Sequence, residues 1–259
     1  MAGSRRVAAL FGSAIIALLA LSGAALADDK FSWSASLTGT SDYVFRGISQ
    51  TDNDPTIQGS IGFEYGMFYA GGWASGLDWD DDAQLEVDWY AGIKPTWNSP
   101  VGEVSFDFGV IYYTYPGYSD APNAEADYFE LKAGYSLPSP FIKGLTTGSY
   151  VYWSPEYSTE VGEVWTTESV ASYELPKVWV FDPSLSGVLG WQTGNRSDNY
   201  NGGGKDEYYY WNAGLSLAVE NLSFDFRYWD TDLDPGGLCQ TSTLQCDERF
   251  VFSATVSIP

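Results

Sequence analysis

From residue 31 onward the chain alternates. Trp33, Ala35, Leu37, Gly39, Tyr43 and Phe45 share one parity, while Ser34, Ser36, Thr38, Thr40, Asp42 and Arg46 share the other. Ile57, Ile61, Phe63 and Tyr65 then oppose Thr56, Gln58, Ser60 and Glu64. The same two-residue period returns over 85–94, 103–112, 128–135, 165–175, 211–219, 222–228 and 249–258, rich in Tyr, Trp, Phe and Val. Such alternation is the mark of strands with one apolar and one polar face. Three further runs, 67–77, 145–154 and 184–192, are less clean; the first two read as strands so rich in small residues that their parity is not readable. The total is about twelve. Helical periodicity is hard to find, and after residue 27 no run reaches the roughly 18 apolar residues of a membrane-spanning helix.

The connectors divide into two kinds. With a periplasmic N-terminus, the outer ones are "GISQTDNDP", "DWDDD", "YPGYSDAPNAEA", "SPEYSTEVGEV", "TGNRSDNYNGGGKDE" and "DTDLDPGGLCQTSTLQCDE". The inner ones are the turn near Gly66, "PTWNSPVG", "PSPFIKG", "PKVWVFDP" and Glu220–Asn221. Long polar loops at one end and mostly short turns at the other are the asymmetry of an outer-membrane barrel. The expectation is an all-β, transmembrane, antiparallel up-and-down barrel of about twelve strands. Tyr43, Tyr65, Trp79, Tyr115, Trp165 and Tyr228, near strand ends, are expected in its interfacial aromatic girdles.

Composition sharpens this picture. Arg5 and Arg6 precede an apolar run that ends in "ALA" at 25–27, so residues 1–27 read as a signal peptide and 28–259 as the barrel domain. Removing that leader leaves 34 acidic against 10 basic residues, a net charge of −24. Nucleic acid is then a poor partner, because phosphate binding needs clustered bases. The chain has no histidine. That removes Ser-His-Asp and Cys-His nucleophilic catalysis, His-ligated zinc and any imidazole base. No enzyme activity and no cofactor are expected. Cys239 and Cys246 close a short polar loop and are expected to form a disulfide in an exported protein.

The run "GTSDYVFRGISQTDNDPTIQGSIGFEY", followed by "FYAGGWASGLD" and "EVDWYAGI", resembles the TorF-type porins of proteobacteria. The likeness is strongest over 36–93 and continues more loosely through "FDFGVIYYTYPG" and "ELKAGYS". It implies an outer-membrane β-barrel. One departure is the ending "VFSATVSIP", where outer-membrane barrels usually finish on an aromatic residue.

The interior parity collects Asp42, Glu64, Glu86, Asp88, Glu103, Asp107, Glu130, Glu168, Glu174 and Asp225, against Arg46, Lys94, Lys132 and Arg227. Charges facing hydrocarbon cost about 2–4 kcal/mol for a midplane Arg or Lys, so these side chains must meet water or one another. Rings of carboxylates favour cations, and the excess of acids argues for a wetted lumen. The reading is a porin for small hydrophilic solutes, set in the outer-membrane lipid bilayer. The alternative is a barrel plugged by ion pairs, with a structural or surface-binding role. Twelve strands lie between filled small barrels and open large ones, so size alone does not decide. "DWDDD" lacks the spacing of a calcium loop and "NGGGKDE" the context of a phosphate loop; both read as solvated connectors.

Overall fold

The computed structural model describes residues 31–79, 83–100, 102–118, 126–194, 207–233 and 245–258. Twelve long strands form the wall: β1 (Phe31–Thr40), β2 (Thr56–Tyr65), β3 (Phe68–Gly76), β4 (Leu85–Ile93), β5 (Gly102–Thr114), β6 (Tyr128–Pro138), β7 (Leu145–Ser154), β8 (Val164–Glu174), β9 (Asp182–Gly194), β10 (Glu207–Val219), β11 (Leu222–Thr231) and β12 (Arg249–Ile258). Each pairs antiparallel with the next, from Phe31↔Tyr65 between β1 and β2 to Trp229↔Arg249 between β11 and β12. β12 then returns to β1, from Ala35↔Ile258 to Thr40↔Ser253. The sheet is closed, as the alternation predicts.

Two boundaries differ from the sequence reading. Alternation runs through Tyr43 and Phe45, yet β1 stops at Thr40 and the following residues leave the wall. The "PTWNSPVG" segment is more than a turn, because Thr96–Ser99 continues the β4 edge and pairs with Gly102–Ser105 of β5. Lys94–Pro95 interrupts it, as expected of a proline, which has no amide hydrogen to give a ladder.

The apolar parity faces outward and is exposed along every flank, including Leu37, Ile57, Ile61, Phe68, Trp89, Leu131, Leu189, Phe226 and Phe252. A continuous band of this kind is a liability in water and the natural surface in hydrocarbon. Tyr65 and Trp165 stand among its exposed aromatics, as expected. Tyr43 and Tyr115 do not: both are buried inside, and Trp79 packs on Tyr115 with ring centroids 4.7 Å apart. Their position near strand ends is shared by girdle and lumen residues alike, so it could not separate them.

Inside, the three less regular runs turn out to carry buried polar residues. Tyr69 and Ser75 of β3, Tyr150 and Tyr152 of β7, and Gln192 of β9 all point inward and are buried. Several of these rings lie flat over glycines of neighbouring strands. A Cβ at Gly92 or Gly109 would strike Tyr69, and one at Gly134 or Gly190 would strike Tyr150 or Tyr210. Glycine here is the socket that lets a tyrosine lie along the wall.

Leu189 lies mid-way along β9 and is 56% exposed on the outer face. Leu189→Arg should therefore lower the stability of the barrel folded into phospholipid vesicles by about 2–4 kcal/mol. Urea titration of folding, followed by tryptophan fluorescence, reads the change.

Candidate functional site

The chain between β1 and β2 turns into the barrel. Val44–Phe45 pairs with Ile48–Ser49 in a miniature hairpin, Val44↔Ser49 and Phe45↔Ile48. Its two turn residues, Arg46 and Gly47, have φ of 50° and 87°. Positive φ at both central positions is what a type I′ turn demands. Gly47 is also held by space, since a Cβ there would overlap the side chains of Thr231 and Tyr210. The glycine side of the tip thus rests against β10 and β11.

The arginine side reaches the other wall. Arg46 donates from Nη1 and Nη2 to Oε1 and Oε2 of Glu130 on β6, at 2.7 and 2.8 Å. Glu130 Oε2 also accepts the Tyr113 hydroxyl of β5 at 2.9 Å. The guanidinium lies 4.7 Å from the Phe45 ring centre and 5.1 Å from that of Tyr152. Its own carbonyl accepts the Tyr208 hydroxyl at 3.2 Å. Arg46 and Glu130 are both buried. A bidentate, ring-flanked guanidinium of this kind suits arginine's planar fork and not lysine's point charge.

The base of the hairpin is tied down as firmly. Asp42 Oδ1 accepts the hydroxyls of Ser49 and Thr51 at 2.6 and 2.9 Å, and Oδ2 accepts Arg249 at 3.0 Å. Gln50 bonds outward to the β3–β4 connector, through its carbonyl to the Asp78 amide and through Oε1 to the Trp79 indole. Burial first, and then the charges of Glu86 and Asp88, push the Tyr43 phenol well above its usual range, so it stays protonated.

Further charges follow the same pattern of local compensation. Lys132 pairs with Asp107 at 2.8 Å, and the Tyr69 hydroxyl donates to that carboxylate at 2.7 Å. The ammonium of Lys94 sits 4.7 Å from the Tyr69 ring centre. Arg227 grips Asp225 through Nε and Nη2 at 3.0 and 2.9 Å, and also bonds Asn212 and Ser186. Glu168 accepts the hydroxyls of Tyr210 and Tyr152 at 2.6 and 3.4 Å. Glu86 accepts Tyr115 at 3.4 Å. Among the described residues no group of three or more His, Cys, Asp or Glu side chains is placed to hold a metal.

Of the residues singled out from sequence, Asp42, Arg46, Glu86, Asp88, Asp107, Glu130, Glu168, Asp225 and Arg227 are buried inside, and Lys132 and Glu64 are half-buried. Glu103 is half-buried and Glu174 exposed at the end with the short turns. Cys246 is buried and is not a free thiol; Cys239, Asp80–Asp82 and the leader lie outside the described residues. Two features escaped the reading. Arg249 has inward parity and belongs with the interior bases, and the interior tyrosines donate hydrogen bonds to the acids without supplying charge. Counting only ions overlooked the hydrogen bonds these acids receive, because a phenol donor meets a carboxylate's acceptor capacity though not its charge.

The two halves of the interior differ. At the loop end, Tyr113, Tyr128, Glu130, Tyr208, Tyr210 and the inserted hairpin close the section, all but Phe45 and Ile48 buried. At the end holding the short turns, many inward positions are small: Ser34, Ser36, Ser105, Ser136, Ser172 and Ser257 are half-buried, while Ser184, Ser216 and Ser223 are buried. The loop-end section is thus packed, and the turn-end section is lined largely by small polar side chains.

The sequence model of a family described as "Bacterial protein of unknown function (Gcw_chp)" matches residues 24–258. No curated protein matches the chain. Among solved structures, the NanC porin superposes with a TM-score of 0.56 at 9% identity, covering 87% of this chain and 99% of the porin. Salmonella typhi OmpF, in complex with daunomycin, gives 0.41 at 11% identity over 89% of this chain and 98% of its own. Pseudomonas aeruginosa OccK8 (OprE) gives 0.42 at 10% identity over 89% and 67%. At these identities the likeness to NanC is one of fold.

Glu130→Ala should destabilise the barrel by about 3–5 kcal/mol, because it leaves the buried Arg46 charge unpaired. Adding Arg46→Ala should recover part of that loss, with a coupling of about 0.5–3 kcal/mol. A double-mutant cycle on denaturant unfolding measures it.

Proposed function

The chain belongs to the Gcw_chp family of bacterial proteins, and from that premise we propose that it is an outer-membrane porin whose lumen is closed by its first outer loop. The leader is cleaved after Ala27, residues 28–259 form the barrel, and the outer membrane is its site. Small hydrophilic solutes, cations favoured, pass when the Arg46 hairpin leaves the lumen. The observation that carries the reading is the hairpin inserted from β10–β11 to β5–β6, with half-buried serines lining the section beyond it. A barrel filled for stability alone needs no loop inserted to fill it. The resemblance of residues 36–93 to TorF-type porins supports the same assignment.

The acidic residues would give the open lumen its selectivity. With Arg46 withdrawn, Glu130 loses its counter-charge and joins Glu86, Asp88 and Glu168 on the exposed wall. Carboxylates grouped in this way attract cations and repel anions. We extend the proposal to a Cys239–Cys246 disulfide, which would pin the outer loop near Thr231, whose hydroxyl donates to the Cys246 carbonyl at 3.1 Å.

One observation favours a second reading, a barrel that conducts nothing and serves a structural or surface-binding role. Asp88, Asp107, Glu130, Glu168 and Asp225 are no more than 6% exposed, which is deep for the lining of an aqueous channel.

Planar-bilayer recording separates the two. The native barrel should be mostly closed with brief openings. Arg46→Ala should raise the open probability at least tenfold, and a salt gradient should give a reversal potential of cation sign. Silence from both proteins would establish the second reading, and an anion-selective current would refute the role given to the acids.

A further inference from the structure

Glu86 and Asp88 are two residues apart on β4, so the strand's period of two turns both carboxyl groups inward. They are 2% and 0% exposed. Both carboxylate oxygens of Asp88 are buried without a hydrogen-bond partner, and so is the hydroxyl of Tyr43. Tyr43 stands close to both acids, and Tyr115 donates to Glu86 over a long 3.4 Å. Three buried oxygens without a well-formed hydrogen bond, their polar neighbour being the like-charged Glu86, are out of keeping with the rest of the interior, where acid after acid is met by bases or short phenol bonds.

The interior's bases are engaged elsewhere. Arg46 binds Glu130, Lys132 binds Asp107, Arg227 binds Asp225 and Arg249 binds Asp42. The charged groups that act on Asp88 are Glu86 and Glu130, both of its own sign, and the titratable groups packed around the pair are the phenols of Tyr43, Tyr113 and Tyr115. Two carboxylates removed from water with no opposite charge in contact make a strongly unfavourable arrangement unless something supplies that charge.

We propose that Glu86 and Asp88, with the hydroxyls of Tyr43 and Tyr115 beside them, hold a hard divalent cation at the base of the stopper. The donor chemistry sets the class. All four groups offer oxygen, neither imidazole nor thiolate is at hand, and oxygen-only sites suit magnesium and calcium over zinc or copper. Two carboxylates match a charge of two, and magnesium in particular is bound by one or two carboxylates with the rest of its shell left as water. The site joins β4 to the loop at Tyr43, next to Asp42, so an occupied site would hold the hairpin in the lumen. This inference stands whether or not the barrel conducts.

The test uses the full-length barrel refolded in detergent and stripped of metal with EDTA. Terbium is the probe, its luminescence sensitised by nearby tyrosine and tryptophan, with calcium and magnesium as competitors. One saturable site per barrel is expected, displaced by either competitor, together with a rise in melting temperature on adding calcium or magnesium. The double variant E86Q/D88N should bind terbium at least tenfold more weakly and lose the thermal response. Tyr43→Phe, which removes a hydroxyl and little volume, should weaken binding several-fold and serves if the double variant does not fold. Asp80→Asn with Asp81→Asn and Asp82→Asn, in the neighbouring acidic connector, should leave the site intact. Undiminished binding in E86Q/D88N, or its loss in the connector variant, would overturn the assignment. So would a native barrel that shows no thermal response to either cation while E86Q/D88N melts higher, since the pair would then be sharing a proton.

Discussion

Hydrocarbon offers no hydrogen bonds, and this constraint governs the molecule. Each backbone amide and carbonyl left unpaired there costs several kcal/mol, on the order of the value for transfer out of water. A sheet that crosses a bilayer must therefore have no edge. The pairing of β12 with β1 over Ala35–Thr40 removes the last one. Closure fixes everything downstream: each strand has one face to lipid and one to the lumen, and charged residues have no option but the inner face. The outward exposure of Leu189 and the burial of Glu130 are two consequences of the same closed ladder.

Inside, the controlling quantity is charge compensation. A strongly acidic chain that turns its acids inward must dissolve them in water or pair them. The loop-end half takes the second course, with guanidinium and ammonium partners for Glu130, Asp107, Asp225 and Asp42 and phenols for Glu168. Breaking such a buried pair is far more costly than forming it is favourable. The network therefore specifies one arrangement of the hairpin more than it adds to global stability. The turn-end half, lined largely by serines, leaves its acids Glu64, Glu103 and Glu174 half-buried or exposed, where water can reach them. That division of labour makes the barrel look like a vessel with a lid.

Much of the fold was legible because the period of two is independent of residue identity. Where large apolar residues mark one face, as in β1, β2, β4 and β5, the opposite parity holds the buried Glu86, Asp88 and Asp107. Where both faces carry small residues, as in β3 and β7, it gave nothing, and the buried Tyr69 and Tyr150 went unseen; β9 was too irregular to reveal Gln192. Tyrosine is the deeper difficulty, because its apolar ring and polar tip fit both a lipid interface and a packed polar lumen. Tyr43 and Tyr115 were assigned to the wrong one for that reason. The hairpin was hidden by its own regularity: alternation continues past Thr40, and Arg-Gly is not the Asn-Gly or Asp-Gly pair that announces a type I′ turn.

That unusual pair explains how the lumen is closed. A left-handed backbone costs a residue with a Cβ about 1–2 kcal/mol, and asparagine would occupy the position of Arg46 with less strain. Asparagine, however, is too short to cross. In a twelve-strand cylinder β10–β11 and β5–β6 face each other almost diametrically, and the tip must touch both walls to seal the section. Gly47 allows the backbone to press against Thr231 and Tyr210 on one side. Arg46, with the longest side chain that carries a planar fork, spans the remainder and ends in two charge-assisted bonds on Glu130. The strain and the reach belong together. A residue chosen only to turn the chain would not have been an arginine, and one chosen only to pair with Glu130 would not have been placed where φ must be positive.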